Sequence, residues 1–157
     1  MQHYDKKHLF TFGGEHKRFT AGTERVVVNF RGVRILLEVC YDLRFPVWSR
    51  NLGDYDMILY VASWPTPRVD AWSALLRARA IENQCYVAGV NRMGTDPACE
   101  YSGGSAIIDP YGKTIAECPW SRESAVSADI DMEALQAFRK KFPVLDDADP
   151  VSYTHLR

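Results

Sequence analysis

Apolar residues recur along the chain in short runs that are separated by turn-forming residues, which is the pattern of β-strands. The runs predict strands at 24–30, 33–42, 56–63 and 85–92, two short strands within 103–118, and a last strand at 124–131. The run at 56–63 is continuously apolar, which is typical of a strand covered on both faces. These segments predict a sheet that contains hairpins.

Two other segments space their apolar residues three and four apart, which is the period of a helix packed on one side. They predict helices over 69–84 and 132–142, capped by Asp70 and Asp131. A short helix is expected over 45–51, because it begins with a proline that suits a first helical turn. Strands that alternate with helices predict an α/β fold with a layered sheet.

Composition narrows the range of functions. A length of 157 residues, with 46% hydrophobic and 25% charged residues, predicts one globular domain. A net charge of -1 gives no electrostatic footprint for nucleic acid or anionic lipid, so neither is expected as a partner. The chain has no apolar stretch of membrane-spanning length and no signal-peptide pattern, which predicts a cytoplasmic protein with reduced cysteines.

The segment LLEVCYDLRFPVWSR, residues 36–50, carries the strongest chemical signal. A predicted strand ends at Cys40, and the chain then turns towards a helix that begins near Pro46. A thiol at such a junction lies near backbone N–H groups, which favour a thiolate and can hold an oxyanion. The same position also suits a buried structural cysteine.

Two charged residues near the start of the chain would complete a reactive set. Lys6 lies in YDKKHLF, and Glu15 lies in GGEHKRFTAG, where glycines permit close approach of the backbone. An ammonium can stabilise a thiolate and an oxyanion, and a carboxylate can orient that ammonium and shift protons. Taken singly, each signal is weak, because a lysine usually lies on the surface and a glutamate after two glycines is usually a loop residue.

Six segments in this order resemble the carbon–nitrogen hydrolase (nitrilase) superfamily: YDKKHLF, GEHKRFTAG, VCYDLRFPVWSRN, ARAIENQCYVAGVNR, GGSAIIDPYG and FPVLDDAD. CYDLRFP, YVASWP and ARAIENQ are most similar to its omega-amidase branch, which hydrolyses the ω-amide of 2-oxoglutaramate and 2-oxosuccinamate. The resemblance covers residues 4–149. It implies an α-β-β-α layered sandwich, no cofactor and a homodimer.

The resemblance also implies roles for individual residues. Cys40 matches the nucleophile, Lys6 the catalytic lysine, and Glu15 the glutamate that positions the lysine. The backbone N–H of Tyr41 would share the oxyanion hole with Lys6. Catalysis in the family runs through attack on the amide by the cysteine, loss of ammonia to give a thioester, and hydrolysis by water.

Three further residues are expected beside Cys40, because the next strand of a layered sheet would end close to its own. Trp64 could wall the acyl pocket, and Arg44 or Arg68 could bind a substrate carboxylate. For Arg44, a buried ion pair with Asp42 is the competing interpretation.

The sequence departs from the family pattern at three places. The general-base glutamate of the family, together with the first strands and helices of its sandwich, has no match here. We therefore interpret residues 1–149 as an N-terminally truncated hydrolase domain that is inactive alone. Glu38 replaces an uncharged residue and is either a paired carboxylate or a substitute base. Residues 150–157 do not continue the pattern and are expected to be a foreign tail.

Other functions stay open on the sequence. A non-catalytic fragment or binding module would keep the pocket without the chemistry, and another hydrolase of the superfamily would act on nitriles or carbamoyl amides. The histidines and cysteines show no metal-ligand spacing, so no metal site is expected.

Overall fold

The computed structural model describes residues 2–149. These residues form eight strands: β1 (Val27–Phe30), β2 (Val33–Val39), β3 (Met57–Ala62), β4 (Tyr86–Asn91), β5 (Met93–Thr95), β6 (Glu100–Ser102), β7 (Ala106–Ile108) and β8 (Thr114–Glu117). They also form three α-helices: α1 (Pro46–Ser49), α2 (Val69–Glu82) and α3 (Met132–Lys141). The predicted tail at 150–157 lies outside the described residues.

Six of the strands form one mixed sheet in the order β1-β2-β3-β4-β7-β8. The central strands β2, β3 and β4 run parallel, whereas β1, β7 and β8 pair in antiparallel fashion with their neighbours. Val39 pairs with Val61, which in turn pairs with Val90, so the three parallel strands end at the same edge. Segments that follow these strands therefore meet in space, as the sequence predicted for Cys40 and Trp64.

Helix α2 covers one face of the sheet. Trp72, Leu76 and Ala80 of this helix are at most 1% exposed and pack against buried strand residues such as Ile58. The contact is so close that a Cβ at Gly89 would lie 2.6 Å from a methyl carbon of Leu76. Glycine at this position is therefore needed for the helix to pack against the sheet.

The opposite face of the sheet is apolar but open. Residues alternate along a strand, so Val61 of β3 and Val90 of β4 point away from α2, and they are 47% and 50% exposed. The apolar run at 56–63 predicted cover on both faces. Within residues 2–149, only the α2 face of this strand is fully packed.

The predicted strands from 24–30 to 103–118 are confirmed, but three details of the strands differ from prediction. Residues 124–131 form no strand, because nearly all their side chains are exposed and no described strand pairs with them. The hairpin of β5 and β6 was not predicted, since each strand has only three residues and no clear apolar alternation. The strand predicted over 33–42 ends at Val39, where a 3-10 helix (Cys40–Arg44) begins.

The predicted helices are confirmed, and one of the two predicted caps is wrong. Asp131 is the N-cap of α3, and its carboxylate accepts a hydrogen bond of 2.8 Å from the Ala134 N–H. Asp70 does not cap α2; it lies inside the first turn, and the N-cap is Arg68, which makes no capping hydrogen bond through its side chain. An acidic residue in a first turn is still favoured by the helix dipole.

Candidate active site

A cleft of about 790 Å³ lies at the edge of the sheet where β2 and β3 end. Every residue that the sequence predicted for the site lines this cleft: Lys6, Glu15, Cys40, Tyr41, Arg44, Trp64 and Arg68. These residues come from four separate segments of the chain, so the fold gathers them into one place.

Cys40 is the first residue after β2 and opens the 3-10 helix Cys40–Arg44. Its φ of 49° lies in the left-handed region, which is unfavourable for a residue with a side chain. Such strained positions cluster at functional sites, and a sharp strand-to-helix turn is how other hydrolases present a nucleophile. The sulfur faces the carbonyl oxygen of Ser63 at 3.9 Å.

Lys6 and Glu15 form an ion pair inside the cleft. The ammonium of Lys6 contacts Oε1 of Glu15 at 2.9 Å and Oε2 at 2.7 Å, and the lysine side chain is 13% exposed. The Phe10 N–H donates to Oε2 at 2.8 Å, which fixes the carboxylate. A Cβ at Gly22 would lie 2.1 Å from the carbonyl oxygen of Asp5. Because Gly22 has no side chain, its backbone packs directly against the Asp5–Lys6 backbone, and its N–H donates to the Lys6 carbonyl oxygen at 2.9 Å.

The charges around Cys40 act on its thiol in opposite directions. Burial raises the pKa of Cys40 above its ordinary value, the Lys6 ammonium lowers it, and the carboxylates of Glu15 and Asp42 raise it. The net direction is upward. The sequence predicted that the turn favours a thiolate, whereas burial, which is the largest influence on the pKa of Cys40, acts in the opposite direction.

Two arginines reach the cleft over aromatic rings. The Arg44 guanidinium lies 5.0 Å from the ring centroid of Trp64, and that of Arg68 lies 5.7 Å from Phe10. Among the described residues, neither guanidinium has a carboxylate within 4.0 Å. The ion pair of Arg44 with Asp42 that competed in the sequence interpretation is therefore absent, and both cations face the cleft.

A family model described as "Carbon-nitrogen hydrolase" matches residues 1–140. The chain belongs to the carbon-nitrogen hydrolase family. This confirms the resemblance that the six ordered segments indicated, and it confirms the mixed α/β fold expected from it.

Two of the curated relatives that the chain matches are named as amidases. The chain is 56% identical over 147 residues to "Omega-amidase YafV" of Escherichia coli (strain K12), and 42% identical over 149 residues to "2-oxoglutaramate amidase" of Bacillus subtilis (strain 168). These alignments cover 93% and 94% of this chain and 57% of each relative. The chain therefore spans somewhat more than half the length of these curated relatives.

A solved structure of the family has the same fold. XC1258 from Xanthomonas campestris, described as a CN-hydrolase superfamily protein with an arsenic adduct in the active site, superposes with a TM-score of 0.92. Its sequence is 48% identical, and the match covers 96% of this chain and 60% of that one.

The cleft also has polar lining residues that the sequence interpretation did not name. Among them are Cys99, which precedes β6, and Tyr101, which lies within it. The hairpin of β5 and β6 has no clear apolar alternation, so the sequence did not indicate that these two residues would reach the cleft.

Glu38 does not line the cleft. It is 1% exposed, and its Oε2 accepts a 2.9 Å hydrogen bond from Ser49 Oγ, so its surroundings are those of a buried, paired carboxyl.

Other kinds of site are not evident in residues 2–149. No three His, Cys, Asp or Glu side chains of this part of the chain are grouped so that they could hold a metal ion. None of its helices combines the length and the apolar character that crossing a membrane requires. The four cysteines are free thiols.

Proposed function

We propose that this chain carries the nucleophile of a cysteine amidase. The enzyme would hydrolyse the ω-amide of small α-keto acid amides, such as 2-oxoglutaramate, to the dicarboxylate and ammonia. One observation carries the proposal: the strained Cys40 shares a cleft with the Lys6–Glu15 ion pair. The names of the relatives support the amide as the reacting group.

In the first half of the reaction, the Cys40 sulfur attacks the amide carbon and a C–S bond forms. The carbonyl electrons move to oxygen, which the Tyr41 N–H and the Lys6 ammonium would stabilise. The thiol proton passes to a base and then to the amide nitrogen. The C–N bond breaks, ammonia leaves, and a thioester remains on Cys40. Water then adds to the thioester, the C–S bond breaks, and the acid and the thiol are released.

Removal of the thiol proton needs a base, which would be a carboxylate that lies close to the thiol and is not already paired. Both oxygens of Glu15 are engaged by Lys6, and one also accepts from Phe10. The family resemblance gives the base role to a glutamate that has no match in this sequence. We therefore propose that the chain alone turns amides over at least about 10²-fold more slowly than its longer relatives, because a positioned base contributes about that much or more.

The arginines favour an acidic substrate. Arg44 and Arg68 lie over aromatic rings, which restrain the guanidinium planes without neutralising their charge. A carboxylate at the far end of the substrate could pair with either guanidinium while the amide lies at Cys40. Catalysis would use no cofactor, and a homodimer and a cytoplasmic location stay predictions.

Release of ammonia from a panel of substrates tests this function. The panel is 2-oxoglutaramate, glutamine, a nitrile and a carbamoyl amino acid, each given to the wild-type chain and to Cys40→Ala. We expect slow ammonia release from 2-oxoglutaramate that Cys40→Ala abolishes and that Cys99→Ala, the matched thiol in the same cleft, retains. Equal release from wild type and Cys40→Ala would overturn the proposal, and a preference for the nitrile or the carbamoyl compound would change the substrate class.

A further inference from the structure

Asp42 lies two residues after Cys40, and its side chain is completely buried. Its carboxylate accepts four hydrogen bonds, which fill the acceptor positions of both oxygens. Oδ2 accepts from the Tyr4 hydroxyl at 2.9 Å and from the Val39 N–H at 3.1 Å. Oδ1 accepts from the backbone N–H of His8 at 2.8 Å and from its Nδ1 at 2.9 Å.

The donors connect two distant parts of the site. Tyr4 and His8 lie two residues before and two residues after Lys6, so the carboxylate holds both ends of the segment that carries the ammonium. Val39 is the residue immediately before Cys40. One buried carboxylate therefore joins the lysine segment to the turn that carries the thiol, across 38 residues of sequence.

Other contacts stiffen the lysine segment around this carboxylate. The Tyr4 hydroxyl also accepts a 3.0 Å hydrogen bond from Trp48 Nε1. Burial and the charge of Asp42 raise the pKa of Tyr4 well above its ordinary value, so the hydroxyl stays protonated and donates. The ring of His8 stacks on Phe45, with centroids 3.8 Å apart.

We propose that Asp42 is a positioning residue that places the Lys6 ammonium beside the Cys40 sulfur. The assignment rests on the proposed function, because it concerns the two residues to which that function gives catalytic roles. Asp42 itself would touch neither substrate nor reacting atoms, since its oxygens are buried and fully occupied.

The charge of Asp42 and its positioning role affect Cys40 in opposite directions. The charged groups with the largest effects on the thiol are Lys6, Glu15 and Asp42. Arg44 and Arg68 line the same cleft. Loss of the Asp42 charge alone would lower the pKa of Cys40, because a neighbouring carboxylate disfavours the thiolate. Displacement of Lys6 would raise that pKa, because the thiolate loses its cation. The sign of the change therefore separates the two effects.

The experiment is a double-mutant cycle read at the thiol rather than through catalysis. The variants are Asp42→Asn, Lys6→Met and the two together. Alkylation of Cys40 by iodoacetamide is followed against pH, with each cysteine peptide quantified by mass spectrometry. With Lys6 present, we expect Asp42→Asn to raise the alkylation midpoint by roughly 0.5–1 pH unit. In the Lys6→Met background, the same substitution is expected to lower the midpoint or leave it unchanged. Equal shifts in both backgrounds would overturn the positioning role.

Asp56→Asn is the matched control. Asp56 is 2% exposed and accepts hydrogen bonds from Arg34 and Arg139, but it precedes β3 and lies at the opposite end of the sheet. We expect this variant to lose thermal stability without any change in the Cys40 midpoint. A midpoint shift as large as that of Asp42→Asn would mean that general destabilisation is being measured, and the role of Asp42 would be refuted.

A milder variant covers the case in which Asp42→Asn does not fold. Tyr4→Phe removes one donor, keeps the Asp42 charge and is expected to raise the midpoint by a smaller amount. An unchanged midpoint in Tyr4→Phe would then overturn the proposal. If Lys6→Met itself leaves the midpoint unchanged, the proposed role of Lys6 fails; if Lys6→Met shifts it and Asp42→Asn does not, the role of Asp42 fails alone.

Discussion

The ionisation of Glu38 is expected to make the free energy of unfolding depend on pH, and replacement of Glu38 by glutamine is expected to remove this dependence. Glu38 is buried on β2, where Ser49 Oγ donates to its Oε2 and also contacts the Tyr60 hydroxyl at 3.1 Å. Its other oxygen has no hydrogen-bond partner among the described residues. Burial therefore raises the pKa of Glu38 from its ordinary value of 4.5 to about 7.

The size of the effect follows from that difference in pKa. Between about pH 4.5 and pH 7, the folded state binds more protons than the unfolded state, so the free energy of unfolding decreases as the pH rises. Below this window both states are protonated, and above it both are ionised, so the contribution is constant there. Across the whole window the loss is about 3 kcal/mol.

Urea unfolding of wild type and Glu38→Gln at pH 5 and pH 8 measures this contribution. Glutamine is neutral at both pH values, so the variant should gain about 2 kcal/mol relative to wild type on going from pH 5 to pH 8. Glu117→Gln, at an exposed position on β8, is the control and should show no such gain. A stability difference between Glu38→Gln and wild type that is the same at both pH values would refute the reasoning.

Three further substitutions test the packing, the helix cap and substrate recognition. Gly89→Ala puts a methyl group 2.6 Å from Leu76 and should lower the free energy of unfolding in urea by about 1–3 kcal/mol; an unchanged value would contradict the tight contact. Asp131→Ala removes the acceptor for the Ala134 N–H and should lower that free energy by about 1 kcal/mol, whereas Asp131→Asn should retain it. Arg68→Met should raise the KM for 2-oxoglutaramate by roughly tenfold or more and leave the KM for a neutral amide unchanged; equal increases would count against a carboxylate site.

The order of strands and helices could be predicted because it depends on local patterns. The strands that were predicted correctly are apolar runs bounded by turns, and the cap at Asp131 is a short-range hydrogen bond. The strand predicted at 124–131 does not form, although its apolar and polar residues alternate, because no described strand pairs with this segment. The cap at Asp70 failed by two residues, since the position of a helix start within one turn depends on the preceding segment.

The sequence interpretation identified the main residues of the candidate site but not the direction in which the pKa of Cys40 is shifted. The turn at Cys40 gave a local signal, whereas the approach of Lys6 and Glu15 was inferred from a family resemblance. The direction of the Cys40 pKa depends on how deeply the thiol is buried, which no local pattern reports. The role of Asp42 depends on its contact with Tyr4 across 38 residues, whereas the sequence interpretation named Asp42 only as a partner for Arg44.

The central claim, that Cys40 carries the acyl group, is tested most directly by trapping the intermediate. The chain is mixed with 2-oxoglutaramate, quenched in acid, digested, and its peptides are weighed by mass spectrometry. The account predicts an added acyl mass on the peptide that contains Cys40, which hydroxylamine removes and which Cys40→Ala lacks. No added mass, ammonia release with an unmodified Cys40, or a hydroxylamine-resistant adduct on Lys6 would contradict it.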